Sequence, residues 1–279
     1  MSDLATSVIT GSFPGHDPIW SRLRGDASEL AASEPALASF VHATILGHER
    51  LEHALAYHLS QKLANPDVGA LQVHEVVDRA YGSTATLGQA ARADLTAIFQ
   101  RDPAVYTLVE PFLFFKGYQA LQAYRITHWL WSQGRRALAL HFQSRISEVF
   151  AVDIHPAARI GSGVMIDHGT GVVIGETAVV EDDVSLLQGV TLGGTGKEHG
   201  DRHPKVRRGV MIGAGAKILG NTEIGAYSRI GAGSVVLRPV PPHSTAVGVP
   251  ARVVGRAGCE CPAHEMDQLL DLGPEDWVI

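Results

Sequence analysis

In the stretch MIGAGAKILGNTEIGAYSRIGAGSVV, residues 211–236, a branched aliphatic side chain returns at every sixth position: Ile212, Ile218, Ile224, Ile230 and Val236. The beat extends backward through Ile174, Val180, Leu186 and Leu192, and before them through Ile154, Ile160 and Ile166. A small residue often follows, as in Ile160-Gly161, Leu192-Gly193 and Ile224-Gly225. A short fixed period marks a repeat architecture, and a period of six points to a parallel β-helix. Each unit supplies one short strand and one tight corner, and three units close a triangular coil. The aliphatic side chain points inward and stacks on its counterpart in the next coil. Corners accept a left-handed backbone most cheaply at Gly or Asn; Gly163, Gly215, Asn221 and Gly233 are the candidates. Chance spacing in an ordinary buried sheet does not give three strict runs.

The repeat loses phase twice, and a repeat tolerates irregularity where function requires it. The first break, Asp167 to Val173, is two residues too long and holds Asp167-His168-Gly169-Thr170-Gly171. The second, Gly193 to Met211, has room for one strand plus an excursion loop with Gly193-Gly194-Thr195-Gly196-Lys197 and Asp201-Arg202-His203-Pro204-Lys205. An imidazole is the usual base for a hydroxyl proton near neutral pH, and a carboxylate orients it. Asp153 precedes His168 by 15 residues, close to one coil of 18, so the two can share a face. Asp167 is adjacent and in a strand points the other way. The alternative for His168 is a corner residue bonded to backbone. Arg202 and His203 suit a carboxylate, which Arg holds bidentately; the alternative is a solvated loop. Between Lys197 and Lys217 six basic residues face two acidic ones, an excess that suggests an anionic ligand.

Upstream of Val152 the period is helical. Asp17-Pro18 reads as an N-cap with proline at the first helical position. Stripes at Leu37, Phe40, Val41, Ile45 and at Leu51, Leu55, Leu59, Leu63 follow. Breaks at Ser33-Glu34-Pro35, Asn65-Pro66, Tyr81-Gly82-Ser83, Asp102-Pro103, Glu110-Pro111 and Gly134 divide the region into roughly six to eight helices. His42, His48, His53, His58, Trp129 and Trp131 read as core or helix-face residues. The resulting organisation is α+β: a flexible segment 1–17, helices over 18–150, the β-helix over 151–254 and a polar tail over 255–279.

A net charge of −6 gives no global attraction to nucleic acid or anionic membrane. The N-terminus shows no signal-peptide pattern, and no apolar run reaches the length of a membrane span. Cys259 and Cys261 are too few for a structural zinc site and too close for a relaxed disulfide. They read as reduced surface thiols of a cytoplasmic protein.

Taken in order, the break motifs, Asp153-Ile154-His155-Pro156, Gly248-Val249-Pro250-Ala251-Arg252, Arg101-Asp102-Pro103-Ala104-Val105 and Lys116-Gly117-Tyr118-Gln119 resemble the serine O-acetyltransferases of the hexapeptide-repeat acyltransferase superfamily, from about Pro18 to Arg252. The Asp-Arg-His-Pro loop together with the helical region is the specific part. The resemblance implies a left-handed β-helix and transfer of acetyl from acetyl-CoA to L-serine, with feedback inhibition by cysteine. It implies His168 as general base oriented by Asp153. Asp102 and Asp167 would hold the serine ammonium, and Arg202 with His203 the carboxylate. Gly194, Thr195, Ala214 and Ala232 would line the pantetheine channel, with Lys217 or Arg229 at the CoA phosphates. Asp102 before a proline is equally a helix N-cap. The resemblance implies acetyl-CoA as co-substrate, with no permanently bound cofactor and no metal. The resemblance also implies a homotrimer or a dimer of trimers with the site between subunits, and docking of a C-terminal Ile279 into O-acetylserine sulfhydrylase. Cys259-Glu260-Cys261 has no counterpart in the family pattern. Rival readings are an amino-sugar acyltransferase, a zinc enzyme using His155, His168, His199 and His203, and a non-enzymatic scaffold.

Overall fold

A computed structural model describes residues 17–196 and 199–269. Of the expected flexible segment 1–17, residues 1–16 lie outside the described residues, as do Lys197 and Ile279, whereas Asp17 is ordered as a helix cap. The described residues begin with eight α-helices: α1 (Pro18–Ser33), α2 (Ala38–Val41), α3 (Leu51–Leu63), α4 (Ala70–Ser83), α5 (Ala85–Arg101), α6 (Val109–Phe114), α7 (Lys116–Ser132) and α8 (Arg136–Phe150). Asp17 caps α1, its carboxylate accepting the Trp20 N–H at 3.1 Å. Leu51, Leu55, Leu59 and Leu63 are all buried. Phe40 is not: it stays 38% exposed on α2, while Val41 and Ile45, on either side of the start of a π-helical turn at His42–Leu46, are buried. Glu110-Pro111 breaks nothing, because Pro111 sits in the first turn of α6, where its missing N–H costs no bond.

Strand pairing begins two residues after α8. Three strands make each of the first four coils. They are β1 (Val152–Ile154), β2 (Arg159–Ile160), β3 (Met165–Ile166), β4 (Val172–Ile174), β5 (Val179–Val180), β6 (Ser185–Leu186), β7 (Thr191–Gly193), β8 (Lys205–Val206), β9 (Met211–Ile212), β10 (Lys217–Leu219), β11 (Glu223–Ile224) and β12 (Arg229–Ile230). β13 (Val235–Val236), β14 (Ser244–Gly248) and β15 (Ala251–Arg256) close the chain of strands. The strands stack into three parallel sheets, β1-β4-β7-β10-β13, β2-β5-β8-β11 and β3-β6-β9-β12-β14, the walls of a triangular solenoid. We call them the first, second and third sheets.

The register dates the two insertions. Val173 pairs with Thr191, eighteen residues on, and Lys217 with Val235, again eighteen. Val152 pairs with Val172, twenty on, and Val179 with Lys205, twenty-six on. The first break thus adds two residues and the second adds eight, both at corners. Eleven of the twelve periodic aliphatics are buried; Ile160, in the end coil, is partly covered. Gly163, Gly215 and Gly233 take the left-handed corner conformation, whereas Asn221 yields that place to Gly220.

Helices and solenoid are fastened by a buried carboxylate. Asp94 of α5, fully buried, accepts Gln122 Nε2 at 2.9 Å and Arg125 Nη2 at 2.7 Å from α7, and the Val164 N–H at 3.0 Å from the first coil. Arg125 goes on to the Gly161 carbonyl at 2.7 Å. At the far end β15 runs antiparallel to β14, past the expected boundary at Val254. A short helix, α9 (Pro262–Glu265), then lies over the third sheet, where Ser185 Oγ donates to the Ala263 carbonyl at 2.9 Å. No helix among the described residues is long and apolar enough to cross a membrane. Cys259 and Cys261 are half-buried free thiols.

His58 is buried in the helical core, its ring stacked on Phe112 with centroids 5.8 Å apart. Burial, with the Lys62 charge, lowers its pKa from 6.5 to about 4. The native state therefore binds this proton less readily than the unfolded chain. Stability from this residue is full above pH 6.5 and is lost as pH falls toward 4, by up to about 3 kcal/mol. Urea unfolding from pH 7.5 to 4.5 should show this loss, and His58→Leu should reduce the slope by about one proton. An unchanged slope in the variant would contradict it.

Candidate active site

The two insertions put their side chains on two different edges of the prism. The first edge joins the third sheet to the first. Gly171, Gly189, Gly215 and Gly233 stack along it in the left-handed conformation. The residues before them, Thr170, Gln188, Ala214 and Ala232, form a column held by backbone bonds of 2.8 Å from Gly189 N to Thr170 O, Gly215 N to Gln188 O and Gly233 N to Ala214 O. Asp167 and His168 stand at the foot of this column.

His168 has φ 54°, so strand alternation fails there, and its imidazole stands out into solvent. Its Nε2 lies 3.9 Å from Asp167 Oδ2, an ion-pair distance for a protonated ring. Asp167 therefore lies beside the imidazole, against the expectation that it points elsewhere. Burial raises the Asp167 carboxyl above its ordinary range; His168 pulls it down and the charge of Asp102 pushes it up. Asp102 thus belongs to the same corner. It is not a helix N-cap: it ends α5, and its Oδ1 accepts the Ala104 N–H at 2.9 Å in an Asx turn. Asp153 stays on the face of the first sheet opposite Val173, its Oδ1 taken by Gln143 Nε2 at 2.7 Å. Asp167 is the carboxylate within ion-pair reach of His168; the Asp153–His168 pair is not formed in this single chain.

The start of α7 braces this corner. Lys116 Nζ donates to Thr170 Oγ1. Gly117 lets the helix come so close that a Cβ there would stand 2.0 Å from the Ile166 carbonyl oxygen.

The second edge joins the first sheet to the second. Thr177 organises it: its Oγ1 accepts the backbone N–H of Arg202 at 3.0 Å and of His203 at 3.1 Å. The same hydroxyl lies 2.9 Å from His203 Nδ1, which also accepts the Thr177 N–H at 3.2 Å. An Nδ1 that accepts leaves the ring proton on Nε2. Burial and the adjacent Arg202 charge lower the His203 pKa, which keeps the ring neutral. The Cδ2–Nε2 edge of the ring lies against Gly175, where any Cβ would collide with it. Arg202 Nη2 donates to Glu176 Oε2 at 2.7 Å. That bond holds the Glu176 carboxyl below its usual range. Glu176, Thr177, Gly196, His199, Gly200 and Arg202 line an open cleft of about 520 Å³.

Sequence reasoning missed Glu176 and Thr177. Their signal was available: eighteen residues on from Glu176 is Gly194, the start of the excursion. Much of the local positive excess is neutralised by acids from the preceding coil: Arg202 pairs with Glu176 at 2.7 Å, Arg207 with Glu181 at 2.8 Å and Arg208 with Asp182 at 3.2 Å, while Lys205 pairs within its own loop with Asp201 at 2.6 Å. Of the positions expected at CoA, Ala214 and Ala232 lie on the first edge, Gly194 and Thr195 on the second. Lys217 projects from the first sheet and donates to the Gly189 carbonyl. Arg229 is buried on the third sheet, donating to the Asp267 carbonyl at 3.0 Å beneath the tail. Among the described residues no three His, Cys, Asp or Glu converge as a metal site: His168 occupies one edge, His155 and His203 another.

A family model described as serine acetyltransferase, N-terminal, matches residues 19–123, and one for bacterial transferase hexapeptide (six repeats) matches 203–238. The serine acetyltransferase of Salmonella typhimurium is 59% identical over 250 residues, 90% of this chain and 92% of the relative. A solved serine acetyltransferase in complex with cysteine superposes with a TM-score of 0.89 at 57% identity, over 90% of this chain and 98% of that one. The Brucella abortus serine acetyltransferase in complex with coenzyme A gives 0.86 at 50% identity, over 88% and 98%.

The close approach at Gly117 is testable. Gly117→Ala must push α7 off the Ile166 carbonyl, costing about 1–3 kcal/mol of stability. Amide exchange in the peptide spanning 165–171 should accelerate. Wild-type stability and exchange in this variant would show that the corner does not need the helix so near.

Proposed function

The chain belongs to the serine acetyltransferase family, and from that premise we propose that it transfers the acetyl group of acetyl-CoA to the hydroxyl of L-serine, giving O-acetylserine for cysteine synthesis. The observation that carries this reading is the coincidence of near-full-length identity with charged corners at both insertions of the repeat. His168 takes the serine hydroxyl proton as the oxygen attacks the thioester carbonyl. Asp167 stabilises the imidazolium and, with Asp102, attracts the serine ammonium. Asp153 is the second candidate for orienting the base, once Gln143 releases it. The tetrahedral oxyanion is met by a backbone N–H of the Gly193–Gly196 stretch. Collapse expels the CoA thiolate, which the imidazolium protonates. Arg202 and the Nε2–H of His203 receive the serine carboxylate.

The two groups of residues lie on different edges of one prism. A wall five or six residues wide, roughly 17–20 Å, separates them, and serine is far shorter. This separation supports a trimer in which the first edge of one subunit faces the second edge of its neighbour. The helical region would join two trimers. Cysteine carries the same ammonium and carboxylate as serine, so it competes for the same site; the cysteine complex of the relative supports this. The free thiols of Cys259 and Cys261 suit the cytoplasm. Ile279, a terminal carboxylate on an aliphatic residue, is the proposed ligand of O-acetylserine sulfhydrylase.

Release of CoA with serine, homoserine and amino sugars as acceptors tests the reaction. Serine should be preferred. His168→Ala should lower kcat about a hundredfold or more with the serine KM little changed, and Arg202→Ala should weaken serine and cysteine together. Near-normal turnover by a folded His168→Ala enzyme would remove the base assignment; loss of serine binding with cysteine inhibition intact would refute the shared site.

Deletion of Ile279 should abolish co-purification with the sulfhydrylase and leave acetyl transfer unchanged. Undiminished calorimetric affinity of the truncated chain would take the tail out of that interface.

A further inference from the structure

Arg101 is the last residue of α5, and its side chain leaves the helices for the solenoid. It is buried, 6% exposed. Its Nη1 donates to Ser185 Oγ at 3.1 Å and lies 3.5 Å from the Val184 carbonyl, at the start of β6. Its Nη2 stands 3.5 Å from Asp183 Oδ1, a carboxylate that is itself half exposed. Its Nε has no hydrogen-bond partner among the described residues. Burial pulls the pKa of this guanidinium below its ordinary value, which Asp183 offsets only in part. An apolar side chain of the same length would avoid that penalty, so stability alone does not account for an arginine here.

What the grip fixes is the residue that follows. Asp102 is one Cα step, about 3.8 Å, beyond Arg101. Asp94 pins α5 two turns earlier, and helix ends fray. In the turn after α5, Asp102 Oδ1 accepts the Ala104 N–H at 2.9 Å and Asp102 O accepts the Val105 N–H at 3.1 Å. Both bonds lie inside the turn and would travel with it. The next tie to the helices, the Leu108 N–H donating to Asp26 Oδ2 at 2.6 Å, comes only at the end of the loop. Asp167 is referred to the same strand as Arg101: its N–H donates to the Leu186 carbonyl of β6 at 2.8 Å. Strand β6 therefore holds both carboxylates of the corner, Asp167 through a backbone bond and Asp102 through Arg101. The two repel, since the Asp102 charge raises the Asp167 carboxyl, and a tie is needed to keep them close.

We propose that Arg101 is a positioning residue of the amino-acid site: held by Ser185, it sets the separation of Asp102 from Asp167 and so the affinity for the ammonium of serine and of cysteine. The proposal rests on the reading of these two carboxylates given above. An ammonium is satisfied by two carboxylates at once only when their spacing is fixed.

Arg101→Met keeps the length of the side chain and removes its bonds. It should raise the serine KM and the cysteine inhibition constant together, about tenfold, with the acetyl-CoA KM within about twofold of wild type. The discriminating measurement is the cycle with Asp102→Asn. That substitution alone should raise the serine KM, and Arg101→Met on top of it should add less than about twofold. A general loosening of the fold would cost serine affinity by the same factor in both backgrounds. That outcome, an unchanged serine KM, or an equal rise in the acetyl-CoA KM would overturn the proposal. Should Arg101→Met not fold, Ser185→Ala removes the acceptor and leaves the charge; its serine KM should rise about threefold or more in the wild-type background and not in Asp102→Asn. A normal serine KM in Asp102→Asn alone would remove Asp102 from the ammonium site, and this proposal with it. If the wild-type enzyme transferred nothing to serine, the reaction would fall, and the same cycle read by calorimetry with cysteine would decide the role of Arg101.

Discussion

Parallel pairing at a fixed pitch of eighteen residues is the constraint on which this molecule depends. Each strand of two or three residues is too short to hold itself, and its backbone bonds exist only if the coil above and the coil below arrive in register. Inside the prism the aliphatic column enforces the pitch. A strand slipped by one residue would turn that column to solvent. Extra residues can enter only where the chain already turns, and both insertions do. Chemistry is thereby confined to the edges of the frame.

Asp94 couples this frame to the helices. One carboxylate collects α5, α7 and the first coil, and its partner Arg125 reaches two further carbonyls of that coil. The same helix α7 begins at Gly117, against the corner that carries His168. The corner that carries His168 is thus held at two points of one helix, by the salt bridge at its middle and by the glycine contact at its start. Removing the carboxylate would leave Arg125 buried without its counter-charge, a change typically worth 3–5 kcal/mol.

The period, the two insertions and their lengths were legible because they are local properties of the chain. So were the residues at the corners. What the sequence did not disclose were relations between coils. Arg207 and Arg208 read as a free positive patch because their partners Glu181 and Asp182 lie 26 residues away in sequence yet adjacent in space. Asp153 and His168 seemed to share a face from their spacing. The two-residue insertion carries His168 onto the edge instead, and its positive φ turns the ring toward Asp167. Arg229 looked available because nothing in the repeat announces that residues 257–269 fold back over the third sheet. Asp102 shows the reverse error: a proline after it suggested a helix start, but α5 ends there and the chain turns.

A stack of parallel coils has no natural end. Its last coil presents the same unpaired amides and carbonyls that recruited it, and would accept another coil from any chain that offered one. β15 answers this by reversing polarity, pairing antiparallel with β14 with a register shift between Thr245 and Ala246. At the other end the helices close over the first coil. On the third wall the edge that another coil would extend is thus given the opposite strand direction.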